Sequence, residues 1–109
     1  MVTVTFRSYV KSDADMAAIE ATGQRIYQLG SAMPGFVSYK DFAAADGETL
    51  TLVEFDTAEH LNAWRNQSEH RDAQERGRRE FFSSYEICVC EPQRRYRFSA
   101  AEGRVELVP

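Results

Sequence analysis

Of 109 residues, only two are cysteine, two histidine, three proline and one tryptophan. Each scarcity excludes something. Two Cys cannot make a disulfide framework. Cys88 and Cys90 are one residue apart and share a face of any strand, where a bridge between them would be strained. They read as small buried apolar side chains, with a redox pair as the alternative. His60 and His70 lie ten positions apart, and the chain has no His-x-x-x-His and no Cys-x-x-Cys, so no metal site is expected. It also lacks a Gly-rich phosphate loop and a dinucleotide fingerprint, so neither flavin nor nicotinamide is expected and the chain should work without a cofactor. The longest apolar runs are four residues (Met16–Ile19, Phe42–Ala45, Ile87–Cys90). Neither a transmembrane helix nor a signal-peptide core can be built from these, so no membrane partner and a cytoplasmic location are expected.

Cations are few as well, and nearly all of one kind. Eleven of the thirteen bases are Arg, against seventeen acids, for a net charge of −4. That balance disfavours nucleic acid as a partner. The Arg cluster from Arg65 to Arg79 is interleaved with Glu69, Asp72 and Glu75, which reads as a helix surface laced with ion pairs. What is plentiful is ordinary globular material, 43% hydrophobic and 28% charged. At this length the chain folds as one domain with a folded surface of roughly 6,100 Å².

Val2–Val10 alternates, with Val2, Val4, Phe6, Ser8 and Val10 on one face of a strand. Ser12 and Asp15 suggest a capping box for a helix to about Leu29, ended by Gly30 and Ser31. Phe36–Ala43 alternates again, Asp46-Gly47 is a hairpin turn, and Glu48–Phe55 is the partner strand. Thr57 caps a short helix to about Arg65, Asn66 to Ser68 break and recap it, and a second piece runs over Glu69–Phe82. Tyr85–Cys90 is the last strand of the core. The order β-α-β-β-α-β predicts an α+β, ferredoxin-like antiparallel sheet with helices on one face, over residues 1–98. Residues 99–109 are expected to form a tail that packs on a partner subunit or frays.

On a helical wheel the second piece presents His70, Ala73, Gln74, Gly77 and Phe81 inward, with Arg78 at the boundary. That face is too polar and too small for a structural helix. Gly77 in mid-helix costs about 1 kcal/mol relative to Ala, which close approach or open space would explain. One reading is a helix seated tightly on the sheet with His70 and Gln74 bonded to backbone. The other is a cavity lined by His70, Gln74 and Arg78, walled by aromatics and roofed by Trp64.

The run Trp64-Arg65-Asn66-Gln67-Ser68-Glu69-His70-Arg71-Asp72-Ala73-Gln74-Glu75-Arg76-Gly77-Arg78, with Phe82, Tyr85 and Ile87 after it, resembles the antibiotic biosynthesis monooxygenase family. Met33-Pro34-Gly35-Phe36 and Leu52-Val53-Glu54-Phe55-Asp56 resemble that family's turn into its second strand and its third strand. The resemblance implies a dimeric α+β barrel, two such sheets packed face to face. It also implies small enzymes that oxidise aromatic polyketides with O₂ and neither metal nor flavin. Another branch binds haem through a His ten residues after a Trp; here that position is Gln74, with His70 one turn away.

The leading expectation is a cofactor-independent monooxygenase acting on an electron-rich aromatic or polyketide-like small molecule. His70 would be the general base and Arg78 the fixed cation. Trp64, Asn66, Gln74, Gly77, Phe81 and Tyr85 would bind substrate. The alternatives are a non-catalytic dimeric module that binds a small ligand, and a haem-binding or haem-degrading protein. A homodimer is expected because the sheet face away from the helices carries apolar and aromatic side chains from every strand.

Overall fold

A computed structural model describes residues 1–109. β1 (Val2–Val10), β2 (Phe36–Ala43), β3 (Thr49–Phe55) and β4 (Phe82–Cys90) form one antiparallel sheet in the order β2-β3-β1-β4. α1 (Met16–Ser31), α2 (Ala58–Arg65) and α3 (Ser68–Arg76) cover one face, and Gly77–Phe81 make a single π-type turn into β4. This is the α+β, ferredoxin-like arrangement that the element order predicts. No helix is long and apolar enough to cross a membrane.

Local chemistry accounts for most boundaries. Asp15 caps α1 by accepting from the Ala18 N–H at 3.1 Å; Ser12 lies in the turn before it, so the cap is a single residue and not the box. Thr57 Oγ1 accepts from His60 N–H to open α2, and Gln67 Oε1 accepts from His70 N–H to open α3. Gly47 occupies the left-handed region at φ 94° in the β2–β3 hairpin. Gly30 does not end α1, which continues to Ser31. It lies buried inside the helix, where a Cβ would come within 3.0 Å of the Trp64 indole nitrogen.

A register shift between Phe36 and Ser38 breaks the simple alternation of β2. Phe36 then packs on Phe55, and Tyr39 on Trp64, from the same side of the sheet. The core fills only one end of that side. Val2, Val4, Val53 and Phe55 meet Ile26, Leu61 and Trp64 there, with Phe55 and Leu61 almost fully enclosed. Farther along β1, Phe6 and Ser8 lie under open space instead of packed helix.

The opposite face carries Thr3, Thr5, Arg7 and Tyr9 from β1 beside Leu50, Leu52, Phe42 and Cys88. It mixes apolar groups with polar ones that pair among themselves, Arg7 with Glu48 and Glu86, Tyr9 with Asp46. Cys88 is exposed, not buried as its sequence setting suggests, and its thiol lies 3.4 Å from that of Cys90. The last residues are neither frayed nor irregular. β5 (Arg95–Ser99) and β6 (Gly103–Leu107) pair only with each other, as a hairpin whose Phe98 is 75% exposed.

Candidate functional site

The space left between helices and sheet is a cavity of about 890 Å³. Its volume falls in the range of small-molecule sites. α1 forms one wall, α3 and the π turn the other, and the four strands the floor.

At the core end three rings stack in sequence. Phe55 and Trp64 have centroids 5.5 Å apart, and Trp64 and His70 4.3 Å apart, at interplanar angles of 29° and 24°. Tyr39 meets the indole edge-on. The caps explain why His70 lands there. Asn66 ends α2, Gln67 starts α3, and the abrupt change of direction lays the first turn of α3 back over Trp64. His70 Nδ1 lies 3.1 Å from the Trp64 carbonyl, which can only accept. Nδ1 therefore carries the proton, and neutral His70 keeps a bare Nε2. Burial holds its pKa below the usual 6.5, against an opposing push from the Trp64 carbonyl, so the neutral form dominates at pH 7. Burial also pushes the Tyr39 phenol up to about 12, which keeps it a neutral donor.

The two sequence-based readings of His70 turn out to be one. The residue bonds to backbone and lines the cavity, and the backbone bond is what fixes the tautomer that leaves Nε2 free. Trp64, Gln74, Arg78, Phe81 and Tyr85 line the same cavity. Two expected site residues do not. Asn66 is exposed at the end of α2, its N–H bonded to the Asn62 carbonyl, because the break needs a capping residue just where the chain turns outward. Gly77 is buried against Phe82, where a Cβ would come within 2.9 Å of the ring. Its role is close approach, which seats the π turn on β4.

Arg78 and His70 lie in one cavity but not side by side. Eight residues of helix separate them, about 12 Å of rise. Arg78 Nη1 donates to the Tyr85 hydroxyl at 3.3 Å. The floor residues Ser8, Thr49 and Asp41 are the part of the site that helix reasoning missed. Ser8 carried the signal, as a hydroxyl on an otherwise apolar strand face. It is 3% exposed, the one polar residue among those fully buried.

The comparisons with known proteins agree with this architecture. The family model described as antibiotic biosynthesis monooxygenase matches residues 1–76. The uncharacterized protein YqjZ of Bacillus subtilis (strain 168) is 34% identical over 91 residues, covering 84% of this chain and 79% of YqjZ. Among solved structures, Rv0793 from Mycobacterium tuberculosis superposes with a TM-score of 0.73 at 21% identity, over 84% of this chain and 93% of that one. SnoaB from Streptomyces nogalater, described as a cofactor-independent oxygenase, gives a TM-score of 0.70 at 16% identity, over 93% and 97%. At those identities the structures speak to fold alone. The family match spans most of the sheet and the stacked Trp64–His70 wall, and the YqjZ alignment covers more of the chain still; the chain belongs to the antibiotic biosynthesis monooxygenase family.

Proposed function

We propose that the protein is a cofactor-independent monooxygenase that oxidises an electron-rich aromatic or polyketide-like molecule with O₂. The single observation that carries this is His70, neutral, with its Nδ1 proton held by a carbonyl and its Nε2 lone pair free at the wall of an aromatic cavity. Nε2 removes a proton from a phenol or from an activated methylene in conjugation with a carbonyl. The resulting anion gives an electron to O₂ and recombines with it. Loss of water from the peroxide then leaves a carbonyl, so that CH₂ and O₂ become C=O and H₂O with no other reductant. Trp64 and Tyr39 hold the ring, with Phe55 stacked behind the indole. Gln74, one turn after His70, offers an amide that orients the substrate oxygen. Arg78 gives the cavity a positive potential that favours the anionic substrate.

The test is O₂ uptake by the purified chain in chelator-treated buffer, over a panel of phenols and enolisable aryl ketones. Uptake above the uncatalysed rate that disappears in His70→Ala supports the reading. Tight stoichiometric binding with no uptake would replace it with a ligand-binding module. A Soret band on adding haem, lost in the same variant, would move the assignment to haem.

A second copy on the outer sheet face belongs to the same proposal. The accessible surface is 7326 Å², against about 6,100 Å² for a compact chain of this mass. The radius of gyration is 15.5 Å, against about 13 Å. Phe42 on that face is 45% exposed and Phe98 of the hairpin is open to solvent, and light scattering should return twice 12.4 kDa. A monomer mass at micromolar concentration would overturn the dimer.

A further inference from the structure

The cavity carries polar groups at both ends, and at the end away from His70 the polarity has a sign. In the strand register Thr49 sits opposite Ser8, and Ser8 opposite Tyr85, so three hydroxyl-bearing residues form a row across β3, β1 and β4. Arg78 stands over that row and donates to the Tyr85 oxygen, which leaves the Tyr85 proton free to point elsewhere. All four residues line the cavity. The guanidinium, exposed at the cavity rim, has no carboxylate partner, whereas the flanking Arg76 pairs with Glu80, and Arg79 with Glu75 and Glu80.

The acidic side chains that line the cavity do not compensate Arg78. Asp41 is on β2, three strand spacings or about 14 Å from β4, and its carboxylate accepts from the Thr51 hydroxyl. Glu20 is exposed on α1. Lys40 and Arg65, the other cations of the lining, come from β2 and α2. From Ser8 to Val4, the strand position beneath the Tyr39–Trp64 end, is four residues or about 13 Å. An unpaired, weakly hydrated guanidinium beside hydroxyl donors is the donor set that a carboxylate takes in bidentate fashion.

We propose that Arg78, Tyr85 and Ser8 form an anion subsite that takes a substrate carboxylate, so that the protein's ligands are hydroxylated aromatic acids. The hydroxyl lies toward His70 and the carboxylate toward Arg78, with roughly two or three fused rings between them. This rests on the reading of the cavity as the aromatic site, and it assigns Arg78 to orienting substrate by a permanent charge at the end remote from the reacting oxygen.

The experiment is isothermal titration calorimetry of the full chain at pH 7.5 with 6-hydroxy-2-naphthoate and with its neutral carboxamide. The acid should bind about tenfold more tightly or better. Arg78→Met should erase that preference while leaving the carboxamide within about twofold, and Arg78→Lys should restore part of it. Equal affinities for acid and amide in the unaltered chain would overturn the subsite. So would a preference that survives Arg78→Met, or a parallel loss of both ligands in that variant with an unchanged melting curve. Binding of neither compound would overturn the aromatic cavity along with the subsite. A charge preference in a protein that consumes no O₂ would sustain the subsite and remove the catalytic reading.

Discussion

On the sheet face turned away from the helices, Arg7 reaches Glu48 and Glu86, Tyr9 donates to Asp46, and Ser38 donates to Glu54. On the face beneath the helices, His70 keeps a bare Nε2 and the buried Trp64 Nε1–H has no acceptor, while Arg78 stands exposed at the cavity rim without a counter-ion. The unpaired groups come from α2, α3 and the turn after it, and the paired ones mostly from strands and their turns; for His70 and Trp64 the difference is burial. Polar groups in water at an open surface lose little by pairing loosely or not at all. Polar groups under a helical layer are costly unless something completes them. Incomplete pairing at the buried Trp64 and half-buried His70 marks where a ligand belongs.

The contrast can be broken from the inside first. His70→Ala should lower turnover of an oxidisable phenol or enol by about 10²–10⁴ in the folded fraction, and cost about 1–3 kcal/mol of stability because the Trp64 carbonyl loses its donor. A lower melting temperature with unchanged specific activity in the folded fraction would show that the ring only supports Trp64. Trp64→Ala should cost about 3–5 kcal/mol in urea unfolding, since it empties the slot between Phe55, Gly30 and His70. Gly77→Ala sets gained helix propensity against a Cβ 2.9 Å from the Phe82 ring, and a net loss near 1 kcal/mol is expected. A gain would mean that the π turn yields easily.

Acid sharpens the same comparison. The folded pKa of His70 lies below its ordinary 6.5, so on acidification the unfolded chain takes up this proton first. The stability tied to neutral His70 is complete above about pH 6.5 and drains as pH falls from there toward the folded value. kcat/KM should therefore stay level below the usual histidine range, and the acid loss of melting temperature should be shallower in His70→Gln. Off the outer face, in the turn from β3 to α2, Asp56 is held below the usual carboxylate range chiefly by His60, a contribution present at neutral pH and lost only in stronger acid. The smallest effect belongs to that face: Arg7→Ala should move the melting temperature by no more than a few degrees and leave ligand binding intact. A large loss would place the outer ion pairs in an interface.

Legibility in the sequence followed the range of the interactions involved. β1 and β2 were readable to the residue because alternation and the turn residues Gly35 and Gly47 act within a few positions. The break after Arg65 was readable for the same reason, through Asn66 and Gln67. The helix over Glu69–Phe82 was not, because a π turn at Gly77 depends on the Phe82 ring beneath it and has no local pattern. The bulge at Phe36 and the Gly30–Trp64 contact are likewise tertiary. Of the site, the helix-borne half (His70, Gln74, Arg78) stood out as a polar stripe where a core face was due. Of the strand-borne half only Tyr85 was legible; Ser8 and Thr49 stayed hidden because they join it only through register across β3, β1 and β4. The terminal hairpin escaped because a short basic segment with one Gly resembles a disordered tail.

Trp64 is the chain's only tryptophan, and its indole lies 4.3 Å from an imidazole that can change charge. A protonated imidazole in van der Waals contact quenches indole emission, whereas a neutral one does so weakly. The protein thus carries its own optical reporter of the histidine's protonation, with no label and no background from a second fluorophore of the same kind. An emission titration reads the pKa of His70 directly, and a ligand that shields the imidazole moves the midpoint further into acid. The indole nitrogen has no acceptor inside the chain, so the emission should lie toward the blue and shift red only if a bound molecule supplies one.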